Sequence, residues 1–277
     1  MPTVGIVSAG YMGAGLGWAL RTGGARVVTT VAGRSARTAR LAAEADLELL
    51  PDLAEVVRAA DVVLSVTPPA EALRAAAEIA AVDDTDTLVA DLNAISPETM
   101  AAVASHLRRP VDGSISGPPP TAKPGARIFL SGPEAQVVAA LPWAGLVTPI
   151  VVGPEIGAAS AAKMCTASIY KGMTALVAQA MRTAGHHGVL DVVIADLERN
   201  GIDTHRDVAR AATKAHRFVA EMREIARTQE GAGLTPALFA AFAAVYADLA
   251  ATPLADGDPE TTGPLPPDAV VALTKKP

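Results

Sequence analysis

The sequence predicts a doubly wound α/β sheet over residues 1–153 followed by an all-α domain over residues 154–277. Three observations carry this. Short β-branched runs alternate with helical periodicity through the first half of the chain, the pattern of a parallel α/β sheet. Beyond Gly153 the strands stop and alanine-rich helical periodicity takes over. At the start, residues 4–13 read Val-Gly-Ile-Val-Ser-Ala-Gly-Tyr-Met-Gly, a strand running into a glycine turn, which is how a dinucleotide-binding βαβ unit begins.

Taken in order, the first strand spans 3–8, with Val4, Ile6 and Val7 apolar, and Leu16, Trp18 and Leu20 mark the helix that follows. The turn between them lets the backbone approach a pyrophosphate at the helix N-terminus, where free N–H groups and the helix dipole favour anions. Ser8 stands where the first glycine of G-x-G-x-x-G is usual, and Gly10 and Gly13 complete the spacing. With Tyr11 and Met12 these residues form the candidate cofactor loop of a Rossmann-type domain. The second strand, 25–31, ends in Ala32-Gly33-Arg34-Ser35, without the carboxylate that binds the ribose 2′-hydroxyl of NAD. Arg34 offers a fork of donors and Ser35 a hydroxyl for a 2′-phosphate, with Arg37 and Arg40 close by, which favours NADP.

Further strands are expected at 62–66, 88–91, 111–116, 126–131 and 148–152, and helices at 36–44, 53–60, 70–80, 97–107 and 134–140. Loops at the carboxyl ends of such strands face the ligand crevice. Thr67 and Asn93 therefore join the candidate cofactor residues, although the proline turn at 67–69 needs no ligand to explain it. Ser96 before Pro97 is accounted for as a helix cap. In Asp112-Gly113-Ser114-Ile115-Ser116-Gly117-Pro118, Ser116 and the Gly117 N–H either hold a substrate carboxylate or carbonyl or form an ordinary strand-end turn.

The helices of the second half are expected at 156–185, 189–200, 206–231 and 235–250, with an irregular tail from Thr252 and a short helix near 267–273. Lys163, preceded by small residues, is either a surface charge or an ammonium facing a cleft. Thr166 and Tyr170 share its helix face, and Lys171 lies on the shoulder. His186 and His187 are adjacent and point in different directions, and no Cys or carboxylate stands at ligand spacing, so no metal site is expected. Neither a G-x-S-x-G elbow nor a Walker loop occurs.

Composition bounds the reading further. Half of the 277 residues are hydrophobic and only 3% are aromatic, so alanine and aliphatic side chains fill the core. A formal charge of −6 speaks against general nucleic-acid binding, which needs a basic face. The single cysteine, Cys165, excludes an internal disulfide and fits a reducing cytoplasm; its apolar helical surroundings predict a buried structural thiol. No basic n-region opens the chain. The longest uncharged stretches, 1–20 and 135–154, are interrupted by glycines or by Pro142 and Pro149, so no membrane span is expected.

Three motifs in order, the Gly-Ile-Val-Ser-Ala-Gly-Tyr-Met-Gly start, the Asp112–Gly117 loop in place of D-A-P-V-S-G-G, and Gly157…Lys163, resemble the β-hydroxyacid dehydrogenases. That group contains 3-hydroxyisobutyrate and 6-phosphogluconate dehydrogenases. The run Lys214-Ala-His-Arg-Phe-Val-Ala-Glu-Met222 is similar to a subgroup whose C-terminal domain has no settled function. The resemblance implies an oxidoreductase moving a hydride between NADP(H) and a small β-hydroxy acid or carbonyl compound. It implies Lys163 as general acid/base, Ser116 and Gly117 as the substrate-holding loop, and a homodimer paired through the C-terminal helices. It implies one catalytic lysine, which leaves Lys171 as a pocket-edge or surface charge. His216 and Glu221 either reach the pocket or lie on a solvated face. Three departures stand out: Ser8, the triple proline 118–120, and Ala167 where the family has an asparagine. Imine reduction on the same architecture and a non-catalytic NADPH-binding sensor are the rival readings.

Overall fold

The computed structural model describes all residues except 122, 260, 276 and 277. Two units divide the chain, Met1–Met164 and Cys165–Pro277. The first is built on strands β1 (Thr3–Val7), β2 (Arg26–Thr29), β3 (Glu48–Leu49), β4 (Val62–Ser65), β5 (Leu88–Asp91), β6 (Arg109–Ser116), β7 (Ala126–Ser131) and β8 (Val147–Gly153). Between them run α1 (Tyr11–Thr22), α2 (Ala36–Glu44), α3 (Leu53–Ala59), α4 (Ala72–Val82), α5 (Pro97–Ala104) and α6 (Ala135–Ala139). The sheet order is β3-β2-β1-β4-β5-β6-β7-β8. The order reverses at β1, the switch point of a doubly wound sheet, where ligands bind beyond the carboxyl ends of the strands.

Strands covered on both faces are apolar almost throughout. β4 (Val-Val-Leu-Ser) and β5 (Leu-Val-Ala-Asp) are buried at every position, as parallel strands under two helical layers must be. Ile6, Leu16, Leu64, Ile128 and Leu130 lead the larger core, and alanines such as Ala9, Ala14 and Ala19 fill in where helix and sheet approach closely. Val57, Val63, Ile79 and Val89 pack on the other face. Ser35, Asp52 and Ser96 cap α2, α3 and α5 by accepting the N–H groups of Thr38, Glu55 and Thr99.

Two expectations on the sheet change. β6 and β7 pair antiparallel, because the connection 117–125 is shorter than the dozen or more residues that a parallel crossover requires. The two-residue β3 was not expected; Glu48 and Leu49 are both exposed and leave no periodic signal. One feature at the carboxyl edge positions everything that follows. Ser65, Asp91, Asp112 and Ser131 are successive register partners across β4, β5, β6 and β7. All four are buried.

α7 (Ala158–His186) starts in the first unit and carries the chain into the second. There α8 (Leu190–Arg199), α9 (Val208–Ala212), α10 (Ala215–Gly231), α11 (Ala237–Ala250) and α12 (Pro267–Leu273) follow. The helix expected over 206–231 is broken between α9 and α10, where the Thr213 hydroxyl donates back to the Arg210 carbonyl; such side-chain bonds compete with the helix ladder. Met222, Ile225, Tyr246 and Leu249 are buried, and Phe218 meets Tyr246 edge to face at 5.2 Å. Lys171 is not a surface charge. It is mostly buried, pairs with Glu221 and lies 4.4 Å from the Phe218 ring centre, while the Tyr246 hydroxyl donates to its carbonyl. Glu221 is therefore committed inside this unit, and His216 is exposed. Cys165 is exposed too; the face of α7 that carries it turns Ile169, Met173 and Leu176 outward as well. Among the described residues no helix is long and apolar enough to cross a membrane, and no three His, Cys, Asp or Glu residues gather as metal ligands.

Candidate active site

The cofactor loop starts from the backbone. Ser8 adopts φ +73°, the left-handed region that glycine enters freely and L-residues enter at a cost. The position keeps the conformation of the missing glycine without the glycine. A Cβ on Gly13 would stand 2.3 Å from the Ser8 carbonyl oxygen, whereas one on Gly10 would meet nothing within 4 Å. Gly13 is thus demanded by the packing of α1 on the strand, and Gly10 leaves the helix N-terminus open to a ligand's approach. No side chain caps α1 and its first turn holds no acidic residue, so its orphan N–H groups present an anion site. These features fit a dinucleotide pyrophosphate, with Tyr11 and Met12 in the turn itself.

Beyond the ends of β1 and β2 lies a cleft of about 340 Å³, lined among others by Ser8, Thr30, Arg34, Asp52, Arg74 and Glu78. Arg34 is exposed there and pairs with no carboxylate among the described residues. Ser35 is engaged as the cap of α2, and Arg40 pairs with Glu44. Sequence reasoning missed Asp52, Arg74 and Glu78. Arg74 and Glu78 form an i,i+4 pair that reads as an ordinary helix surface, and Asp52 reads as a helix cap. Asp52 brings a carboxylate into the cleft from β3–α3, although β2 itself ends without one.

Further along the edge, Asn93 is buried and fully engaged. Its Oδ1 accepts the Thr67 N–H at 2.6 Å, its Nδ2 donates to Asp91 Oδ2 at 2.7 Å, and its backbone N–H donates to Asp91 Oδ1 at 3.0 Å. Asn93 therefore ties the loops after β4 and β5 together. The Thr67 hydroxyl is shielded from solvent with no hydrogen-bond partner among the described residues, a polar atom that fits a ligand at this loop. Burial pushes the Asp91 carboxyl up to about 7, the Asn93 hydrogen bonds oppose the shift, and the neighbouring Asp112 adds to it.

Ser116, at the end of β6, is half-buried and Gly117 is exposed with φ +122°. The chain then folds back on α1: a Cβ on Gly15 would come within 3.0 Å of Pro119 and 3.2 Å of Pro120. The prolines give the crevice a fixed rim. Lys163 is half-buried in the second turn of α7, and burial holds its ammonium below the ordinary lysine range. Thr166 and Tyr170, one and two turns on, are exposed, and Ala167 is buried.

The start of α7 is bound to the sheet by Asp112. Its Oδ2 accepts the N–H groups of Gly157, Ala159 and Ser160 at 2.9, 3.0 and 3.1 Å and the Ser131 hydroxyl at 2.9 Å. Its Oδ1 accepts the Ser160 hydroxyl at 2.7 Å. Ser131 Oγ also accepts from Ala159 N–H, and the Ser114 hydroxyl donates to the Ala159 carbonyl.

Comparison with known proteins agrees with this architecture. The conserved protein MTH1747, whose structure reveals similarity with 3-hydroxyacid dehydrogenases, is 28% identical over 89% of this chain and 96% of its own, with a TM-score of 0.66. The 3-hydroxyisobutyrate dehydrogenase of Mycobacterium tuberculosis with L-serine is 22% identical over 98% of both chains, at 0.68. That of Salmonella typhimurium is 18% identical over 98% of this chain and 99% of its own, at 0.72; these last two likenesses are of fold. Residues 184–249 match a domain of unknown function, DUF1932. Residues 3–145, more than half of the chain, match the NAD binding domain of 6-phosphogluconate dehydrogenase. The chain belongs to that family, within the β-hydroxyacid dehydrogenases and with a DUF1932 domain behind its Rossmann domain.

Proposed function

We propose that the protein is an NADP-dependent oxidoreductase acting on a small β-hydroxy acid or carbonyl compound, with Lys163 as its general acid/base. The observation that carries this is a half-buried lysine on a helix anchored at the carboxyl edge of the sheet, in the same unit as an uncapped, glycine-lined helix N-terminus. When bound, the nicotinamide supplies or takes the hydride. The chain's own residues do the rest. The open N–H groups of α1 and the glycine turn hold the pyrophosphate, and Arg34 in the cleft meets the 2′-phosphate. Ser116 and the Gly117 N–H hold the substrate's carboxylate or carbonyl, with Thr166 and Tyr170 following Lys163 along its helix. Lys163 gives a proton to the substrate oxygen in reduction and removes it in oxidation. Its burial brings the ammonium closer to working pH, which suits both duties. We place the enzyme in the cytoplasm, as a homodimer formed through its C-terminal helices.

The test is consumption of NADPH, and separately of NADH, over aldehydes, keto acids and cyclic imines. Turnover of a carbonyl compound with NADPH preferred, lost about 100-fold or more in Lys163→Ala while NADPH still binds, is expected. A Lys163→Ala enzyme of full activity would refute the role of the lysine. Turnover confined to cyclic imines would favour imine reduction, a reading that Lys163 counts against and that Ala167 in place of the family's asparagine leaves open. Cofactor binding without turnover of any compound would favour the sensor.

A further inference from the structure

We propose that Asp112 is the positioning residue of Lys163. Its carboxylate, midway along the core strand β6, gathers four hydrogen bonds from residues 157–160, the opening of α7. Ala159 and Ser160 lie four and three residues before Lys163, so the turn that Asp112 grips is directly below the lysine on one helix face. Ser131 reinforces the grip from the adjacent strand, and Ser114 holds the Ala159 carbonyl. A helix start held only by solvent or a single cap frays within its first turn. Here the first turn is bonded to two strands, and the lysine stands immediately after the bonded segment. The depth at which Lys163 sits, and with it the degree to which water is kept from its ammonium, follows from this anchorage. Asp112 touches neither substrate nor cofactor in this role; it acts through the helix.

The proposal rests on the reading of Lys163 as acid/base, so its test is read at Lys163 itself and not through turnover alone. The chain has six lysines. Trace labelling with acetic anhydride across a pH series, resolved peptide by peptide by mass spectrometry, gives the titration of each. In Asp112→Asn the first turn loosens and Lys163 gains water, so its titration is expected to move up towards that of an ordinary lysine, by about half a pH unit or more. The other lysines keep theirs. In the same variant kcat is expected to fall about 10- to 100-fold with the KM for NADPH unchanged. A folded Asp112→Asn protein with Lys163 titrating as in the wild type would overturn the proposal. Should that variant not fold, the double variant Ser131→Ala, Ser160→Ala takes its place, with the same upward movement expected and an unchanged titration equally fatal. The two readings separate cleanly. Full turnover in Lys163→Ala sinks the acid/base role even if the titration shifts, and an unmoved titration sinks the anchor even if Lys163→Ala is dead.

Discussion

Ser8 holds a backbone conformation that costs an L-residue about 1–2 kcal/mol and costs glycine nothing sterically. Ser8→Gly should therefore stabilise the fold by about 1 kcal/mol or somewhat less, because glycine also gives the unfolded chain more freedom. The measurement is the urea midpoint at unchanged m-value; a midpoint that falls would show that the serine side chain makes a contact worth more than the strain. The residues of this loop differ in how far they could be read beforehand. The Gly10 and Gly13 spacing shows in the sequence because each glycine answers a separate steric demand. The left-handed Ser8 does not, since serine seldom takes that conformation. Cys165 and Lys171 exchanged their expected places, the thiol outside and the ammonium inside. A neutral apolar neighbourhood along one helix cannot show that Glu221 and Phe218, some 50 residues on, close over the lysine.

At the level of elements, the row Ser65, Asp91, Asp112, Ser131 sets two carboxyls side by side on adjacent core strands. Asp112 accepts from five donors, and Asp91 accepts two hydrogen bonds from Asn93. Asp91 near pH 7 holds a proton that the unfolded chain, with a carboxyl near 3.8, has already released. Between those two values the native state binds more protons than the unfolded one. Stability from this group is thus complete below about pH 4 and declines as pH rises through about 7. Urea midpoints from pH 4 to 8 should show this decline, and Asp91→Asn should flatten it; an equal slope in both proteins would place the titration elsewhere. The strands themselves were legible because buried parallel strands must be apolar over their whole length. The antiparallel β7 and the break between α9 and α10 were not, since both depend on what a connection lacks or on a single hydroxyl's choice of partner. Asp112 looked like part of a substrate loop. Its donors lie 19 to 48 residues away, beyond the reach of any local pattern.

For the whole molecule, we propose that the second unit pairs with a second copy of itself. Ile169, Tyr170 and Leu176 of α7 are more than half exposed, an unusual load of large apolar side chains for one helix left to water. Light scattering is expected to give a dimer at assay concentration, and Ile169→Glu with Leu176→Glu is expected to shift it to monomer without loss of helical signal; a wild-type monomer would end this proposal. The order of strands, glycine turn and long helix made the two-part plan readable from the sequence, with the last strand ending at Gly153. The seam that matters for handling the protein lies elsewhere. A chain cut after Gly153 would strip Asp112 of every donor but Ser131. A chain cut after Met164 would keep all five donors. Anyone exchanging the rear half of this protein for that of a relative should therefore splice within the long helix and carry its opening turns along with the sheet, since they supply four of the five donors to Asp112.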